Sequence, residues 1–129
     1  MYSIGPQLEK DNYVQLNHYN VKSGEGDEWI RLEKTYWKAL MDAWLKAGGK
    51  GAWSVNTLGW PRGESTPYNG MTVDVFPDWS TLVRGVPLDQ LWSKVHPTIS
   101  ASDAFNRMDK VRSVHDVEVY KIVEVVRGK

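Results

Sequence analysis

There is no cysteine in this chain of 129 residues. That absence excludes disulfides, cysteine nucleophiles, thiolate zinc sites and iron–sulfur clusters. Net charge is absent too: sixteen basic residues balance sixteen acidic ones. A general nucleic-acid binder needs a basic footprint that displaces counterions, so no nucleic-acid partner is expected. Arg107, Lys110 and Arg112 make a short basic run, which reads as a solvated helix face. No apolar run approaches the ~20 residues of a membrane span, so no membrane partner is expected either. Histidine is scarce. His18, His96 and His115 stand at separations that match no zinc pattern, and no metal site is expected. Gly48-Gly49-Lys50-Gly51 lacks the phosphate-loop pattern, and neither a dinucleotide fingerprint nor a legible Ser-His-Asp arrangement exists. No cofactor is therefore expected. No signal peptide is visible. The cytosol is the expected location, although an opening Met1-Tyr2-Ser3-Ile4-Gly5-Pro6 also suits a chain whose secretory leader has been removed.

What is present is ordinary in bulk. Hydrophobic residues make up 41% and charged residues 25%, values that suit a folded globular domain. The length fits one domain, which buries roughly two-thirds of its unfolded surface. Seven tryptophans and six tyrosines are unusual. Large aromatics build cores, interfaces and ligand pockets alike.

Residues 1–12 read as a polar arm and 13–129 as a single α+β domain. Tyr13 to Val21 alternate as a strand, and Ser23-Gly24-Glu25-Gly26 breaks it. A long helix is predicted from Asp27 to Ala47. Trp29, Leu32, Tyr36, Leu40 and Trp44 recur at helical spacing, and Gly48-Gly49 ends it with a left-handed cap. Ala52 to Trp60 is the next strand, Pro61 to Gly70 a loop, and Met71 to Phe76 a third strand. Pro77 to Gly85 suits a helical turn. Val86-Pro87 starts a short helix through Lys94, and Ser100 with Asp103 caps another through Val111. Val114 to Val126 is the last strand. The order β-α-β-β-α-β is ferredoxin-like: a four-stranded antiparallel sheet with helices on one face.

Alternation splits each strand into two faces. If the aliphatic sets Val14/Leu16, Met71/Val73/Val75 and Val117/Val119/Val123 face the helices together with Trp53 and Val55, the other face is mixed. It carries Gln15, Asn17, Tyr19, Asn56, Asp74, Phe76, Tyr120 and Ile122. Such a face suits a wet interface or a ligand chamber.

This element order and the long first helix resemble the dimeric α+β barrel superfamily, which includes antibiotic-biosynthesis-type monooxygenases and stress-responsive barrel proteins. The resemblance spans about residues 13–126 and is one of pattern; no family motif carries a residue role. It implies a homodimer with paired sheets and a small-molecule chamber, and cofactor-independent monooxygenase or isomerase chemistry. A non-enzymatic module for dimerisation or ligand sensing is the alternative, and a haem binder with His18 as axial ligand a third.

The candidate site follows from these faces. Asp74, mid-strand where aspartate is disfavoured, is the candidate base, because burial would raise its pKa; a solvated aspartate is the plainer alternative. His18, placed on the helix-facing side, is the second catalytic candidate or else a satisfied core histidine. Asn17, Tyr19, Asn56 and Tyr120 would orient the ligand, and Trp60 would rim the pocket. His96 and His115 read as surface residues, and Trp29, Trp37, Trp44 and Trp53 as core.

Overall fold

In the computed structural model, residues 2–4, 8–49, 51–58, 67–126 and 128 are described. Five antiparallel strands form one sheet: β1 (Tyr2–Ile4), β2 (Tyr13–Val21), β3 (Ala52–Thr57), β4 (Gly70–Phe76) and β5 (Arg112–Lys121). Their order is β1-β3-β4-β2-β5. Without β1 this is the expected ferredoxin-like sheet. The 1–12 segment departs from a plain arm, because β1 pairs with β3 and adds a fifth strand. The last strand stops at Lys121 rather than Val126.

The strand register sets which side chains share a face. One side carries three rows across β3, β4, β2 and β5: Asn56–Met71–His18–Asp116, Ser54–Val73–Leu16–Glu118 and Ala52–Val75–Val14–Tyr120. The other carries Val55–Thr72–Asn17–Val117 and Trp53–Asp74–Gln15–Val119. Helices cover the second set on β3, β4 and β2, while Val117 and Val119 on β5 stay exposed. Trp53, Val55 and Phe76 join the buried core with Trp29, Leu40, Trp92 and Met108. The expected facing is thus right for β3 and reversed for β2 and β4. The cause is the helix layer. It brings its own bulky rings, Trp29, Tyr36, Trp44 and Trp92, so the sheet need not supply aliphatic volume. Val14, Leu16 and Val73 are left on the open face.

The long first helix forms as three parts: α1 (Gly26–Leu32), a π-helical stretch (Glu33–Lys38) and α2 (Ala39–Lys46). A π stretch widens the helix by bonding i to i+5 and frees backbone groups. The Tyr36 carbonyl accepts a hydrogen bond from His96 Nε2 at 2.7 Å. His96 therefore braces the helix and is half-buried, not a free surface residue. The cap falls as predicted: Gly48 has φ +77°, and Gly48 and Gly49 donate to the Leu45 and Trp44 carbonyls.

The second helical region is divided into α3 (Trp79–Arg84), α4 (Leu88–Val95) and α5 (Ala101–Asp109). Asp78 Oδ1 accepts from Thr81 N at 2.7 Å and so caps α3; Ser100 Oγ accepts from Asp103 N at 3.1 Å and caps α5. No helix among the described residues is long and apolar enough to cross a membrane.

At Gly70 the sheet comes close to the first helix. A Cβ there would lie 2.8 Å from the ring carbons of Trp29 and 3.1 Å from Val21 Cγ2. Trp29 is fully buried and has nowhere to move. Gly70→Ala is expected to cost about 1–3 kcal/mol by overpacking, read as a lower denaturant midpoint at unchanged m-value.

Candidate functional site

A cavity of about 190 Å³ lies between the helix-facing rows of the sheet and the helices. The sheet supplies its polar floor. Asn17 is the hub: its Nδ2 donates to Asp74 Oδ2 at 2.9 Å and Thr72 Oγ1 at 3.1 Å, and its Oδ1 accepts from Gln15 Nε2 at 2.9 Å. The cross-strand register makes this possible, since Asn17 pairs with Thr72 and Gln15 with Asp74. Asn17, Thr72 and Asp74 are all buried. The roof is aromatic and apolar, with Trp37, Phe105 and Met108.

Glu33 enters from the first residue of the π stretch. It is 1% exposed, and its Oε2 has no hydrogen-bond partner. Burial pushes its pKa up to about 7. The Arg112 cation pulls it down, the Asp74 carboxylate pushes it up, and the Trp29 N–H lies nearby without completing a hydrogen bond. Tyr19 is pushed up to about 12, chiefly by burial and then by Glu33, against Thr72 and Arg112. It stays a neutral phenol at any ordinary pH.

Arg112 is the fixed cation. Its Nη1 donates to Asp109 Oδ1 at 2.7 Å, its Cζ sits 4.8 Å over the Tyr19 ring, and its Nε is buried without a partner. A cavity with an unfilled acceptor on Glu33 and an unfilled donor on Arg112 is asymmetric. A buried polar atom left unpaired costs about 1–3 kcal/mol. A ligand hydroxyl satisfies both kinds of demand: it gives its proton to one side and, as an oxyanion, accepts from the other.

The predicted residues divide between two places. Asn17, Tyr19 and Asp74 line this cavity, on the covered side of the sheet and not on the open face expected for them. His18, Asn56 and Tyr120 lie on the open face. For His18 this reverses the expected side; for Asn56 and Tyr120 it is the expected one. His18 Nδ1 meets Asp116 Oδ1 at 2.5 Å, and its ring stacks on Tyr68 at 4.1 Å. Asn56 Nδ2 donates to Ser54 Oγ at 3.0 Å, and Tyr120 donates to Glu118 Oε2 at 2.5 Å. Trp60 lies outside the described residues.

Glu33, Trp37, Phe105, Met108 and Arg112 are site residues that the sequence reading misses. Glu33 has a legible signal, a charge inside an apolar helical stripe between Trp29 and Tyr36. Arg112 has the opposite one, because the basic run disguises it as a solvated residue. A wider cleft of about 400 Å³ between α2 and the α3–α4 connection is lined by Trp44, Gly49, Arg84, Pro87 and Leu91 among others. Among the described residues its lining holds no carboxylate and so no acid–base pair, and volume alone does not make it the site.

Neither a scan against protein-family models nor a search of curated proteins returned a match. Solved structures do match. A point mutant of SnoaB from Streptomyces nogalater, described as a cofactor-independent oxygenase, aligns at 8% identity with a TM-score of 0.50. The alignment covers 92% of this chain and 99% of that one. A dimeric protein of unknown function and ferredoxin-like fold from Bacteroides fragilis NCTC 9343 aligns at 9% identity and a TM-score of 0.50, covering 88% of this chain and 98% of that one. At such identities the likeness is one of fold. The chain has the ferredoxin-like α+β fold of the B. fragilis protein.

Proposed function

We propose that this chain is a homodimeric enzyme that takes a proton from a small single-ring phenol or enol, without a bound cofactor, and exposes the resulting anion to dioxygen. The observation that carries this is Glu33: a fully buried carboxylate, poised near neutrality, with an unfilled oxygen in an aromatic-roofed cavity that also holds Arg112. A general base works best when its pKa lies near the operating pH. Glu33 accepts the hydroxyl proton, Arg112 holds the oxyanion, and Tyr19, Asn17 and Asp74 fix the ring edge. The size of the cavity favours one ring, since drug-sized ligands fill about 300–1,000 Å³.

Delocalised carbanions of this kind can reduce dioxygen directly. At a ring C–H conjugated with the hydroxyl the balance is simple: one oxygen atom becomes the product carbonyl, the other leaves as water, and the hydroxyl proton and the ring hydrogen supply the two hydrogens of that water. SnoaB supports dioxygen as the co-reactant to test first, as an analogy of fold. Reprotonation at another carbon, an isomerisation, is the other fate of the same anion.

The test is an oxygen electrode run with purified protein and a panel of single-ring phenols and enols, with deuterium exchange in D₂O followed in parallel. Substrate-dependent oxygen uptake supports the oxygenase. Exchange without uptake assigns the isomerase. Absence of uptake, exchange and binding across the panel removes the proposal. Within it, Arg112→Gln is expected to raise KM about 10–100-fold, the worth of a hydrogen bond to a charged group.

A further inference from the structure

The open face of the sheet holds a second cluster that the proposed reaction does not use. A β-bulge between β2 and β5 places His18 opposite Asp116 and moves Tyr19 on to Val114, so that His115 is skipped. Asp116 and Glu118 stand two apart on β5 and share one face. His18, Asp116 and Glu118 each offer one donor atom, and these lie within 4.8 Å of one another. Both carboxylates converge on a single ring nitrogen: His18 Nδ1 is 2.5 Å from Asp116 Oδ1 and 3.5 Å from Glu118 Oε1.

We infer that this cluster is a binding site for a divalent first-row transition ion of the zinc class, ligated by His18 Nδ1 and one carboxylate oxygen each from Asp116 and Glu118. Donors around a tetrahedral ion at about 2.0–2.1 Å stand roughly 3.3 Å apart, a spacing bracketed by the two separations here. Two features outside the ligand set point the same way. His18 is 4% exposed although it is a polar residue on the open face, and the Tyr68 stack fixes its ring. Tyr120 donates to Glu118 Oε2 and thereby turns Oε1 toward His18. Such orienting partners are typical of metal ligands. One imidazole with two carboxylates suits zinc, cobalt or manganese better than magnesium or calcium, which take oxygen alone. Asp116 and Glu118 are both partly exposed in the single chain and stand on the edge strand β5, so an ion has a path in from that edge.

The experiment is calorimetric titration of the chelator-treated protein with zinc and, separately, with magnesium. Zinc is expected to bind one per chain and to raise Tm; magnesium is expected to do neither. Asp116→Asn with Glu118→Gln should weaken zinc more than about 100-fold, and Tyr120→Phe about 10–100-fold. These side chains are at the surface, and circular dichroism checks that the variants fold. His115 lies near Tyr68, with ring centroids 6.0 Å apart, and is the rival ligand. His115→Gln should leave zinc binding unchanged. Full-strength binding in the double carboxylate variant, loss of binding in His115→Gln, or no binding to the wild type overturns the inference. None of these residues lines the Glu33 cavity, so failure here leaves the enzymatic proposal standing.

Discussion

Glu33→Gln is expected to abolish turnover and, at the same time, to make the protein more stable above neutral pH. Both effects have one cause. Burial raises the Glu33 pKa from 4.5 to about 7. Between those values the folded chain keeps a proton that the unfolded chain has released, so stability falls as the pH rises across that window. The full loss, reached above about pH 7, is about 3 kcal/mol at 1.36 kcal/mol per unit. Glutamine is neutral throughout and escapes it. At pH 8 the variant should melt about 10 °C higher than the wild type, and at pH 5 the difference should shrink toward zero. Activity moves the other way. Loss of a positioned general base costs about 10²–10⁴-fold, and the wild-type rate should rise with pH through about 7 as Glu33 ionises. Thermal scans at the two pH values and a pH–rate profile check both halves. A flat profile through neutrality, or a variant that keeps its rate, would dismiss Glu33 as the base.

The same residue shows where sequence reasoning stops. The long helix, its Gly48-Gly49 end, the Ser100 cap and the strand order are local patterns, and each is legible in spacing alone. The facing of β2 and β4 is not. Val14/Leu16 and Met71/Val73 look like core because alternation reveals two faces without saying which meets the helices. That choice depends on how much volume the helices bring, a property of the assembled layer. With the faces exchanged, Asn17, Tyr19 and Asp74 keep one another's company but acquire Glu33 and Arg112, which come from a helix and from the start of the edge strand. The cluster around His18 is equally out of reach. His18 and Asp116 are 98 positions apart, and only the β2–β5 register and its bulge make them neighbours. The π stretch leaves no trace in the apolar spacing either, because Tyr36, Leu40 and Trp44 fit an ordinary helix as well.

Leu16→Glu combined with Val73→Glu is expected to convert the protein from a mass near twice 14.7 kDa to one of 14.7 kDa, read by light scattering. The two residues are cross-strand partners in the middle row of the open face, between Ser54 and Glu118. Val14 and Leu16 are half-buried rather than solvent-facing, and Tyr120 is exposed at the margin. Aliphatic side chains collected on a sheet face without helices suit a partner of like composition. The homodimer proposed above supplies such a partner as a second copy of the chain. A standard interface takes about 800 Å² from each partner, a tenth of the 8165 Å² that the lone chain exposes. A carboxylate closed into that contact without a partner costs several kcal/mol, and a two-fold contact meets it twice. In the free monomer the same carboxylates face water, so the fold should survive. The Glu33 cavity lies on the opposite side of the sheet and should still bind its ligand. A variant that remains dimeric would move the interface to the β5 edge, where Val117 and Val119 stand exposed. An aggregated or unfolded variant would instead show that Leu16 and Val73 serve the lone chain's own core.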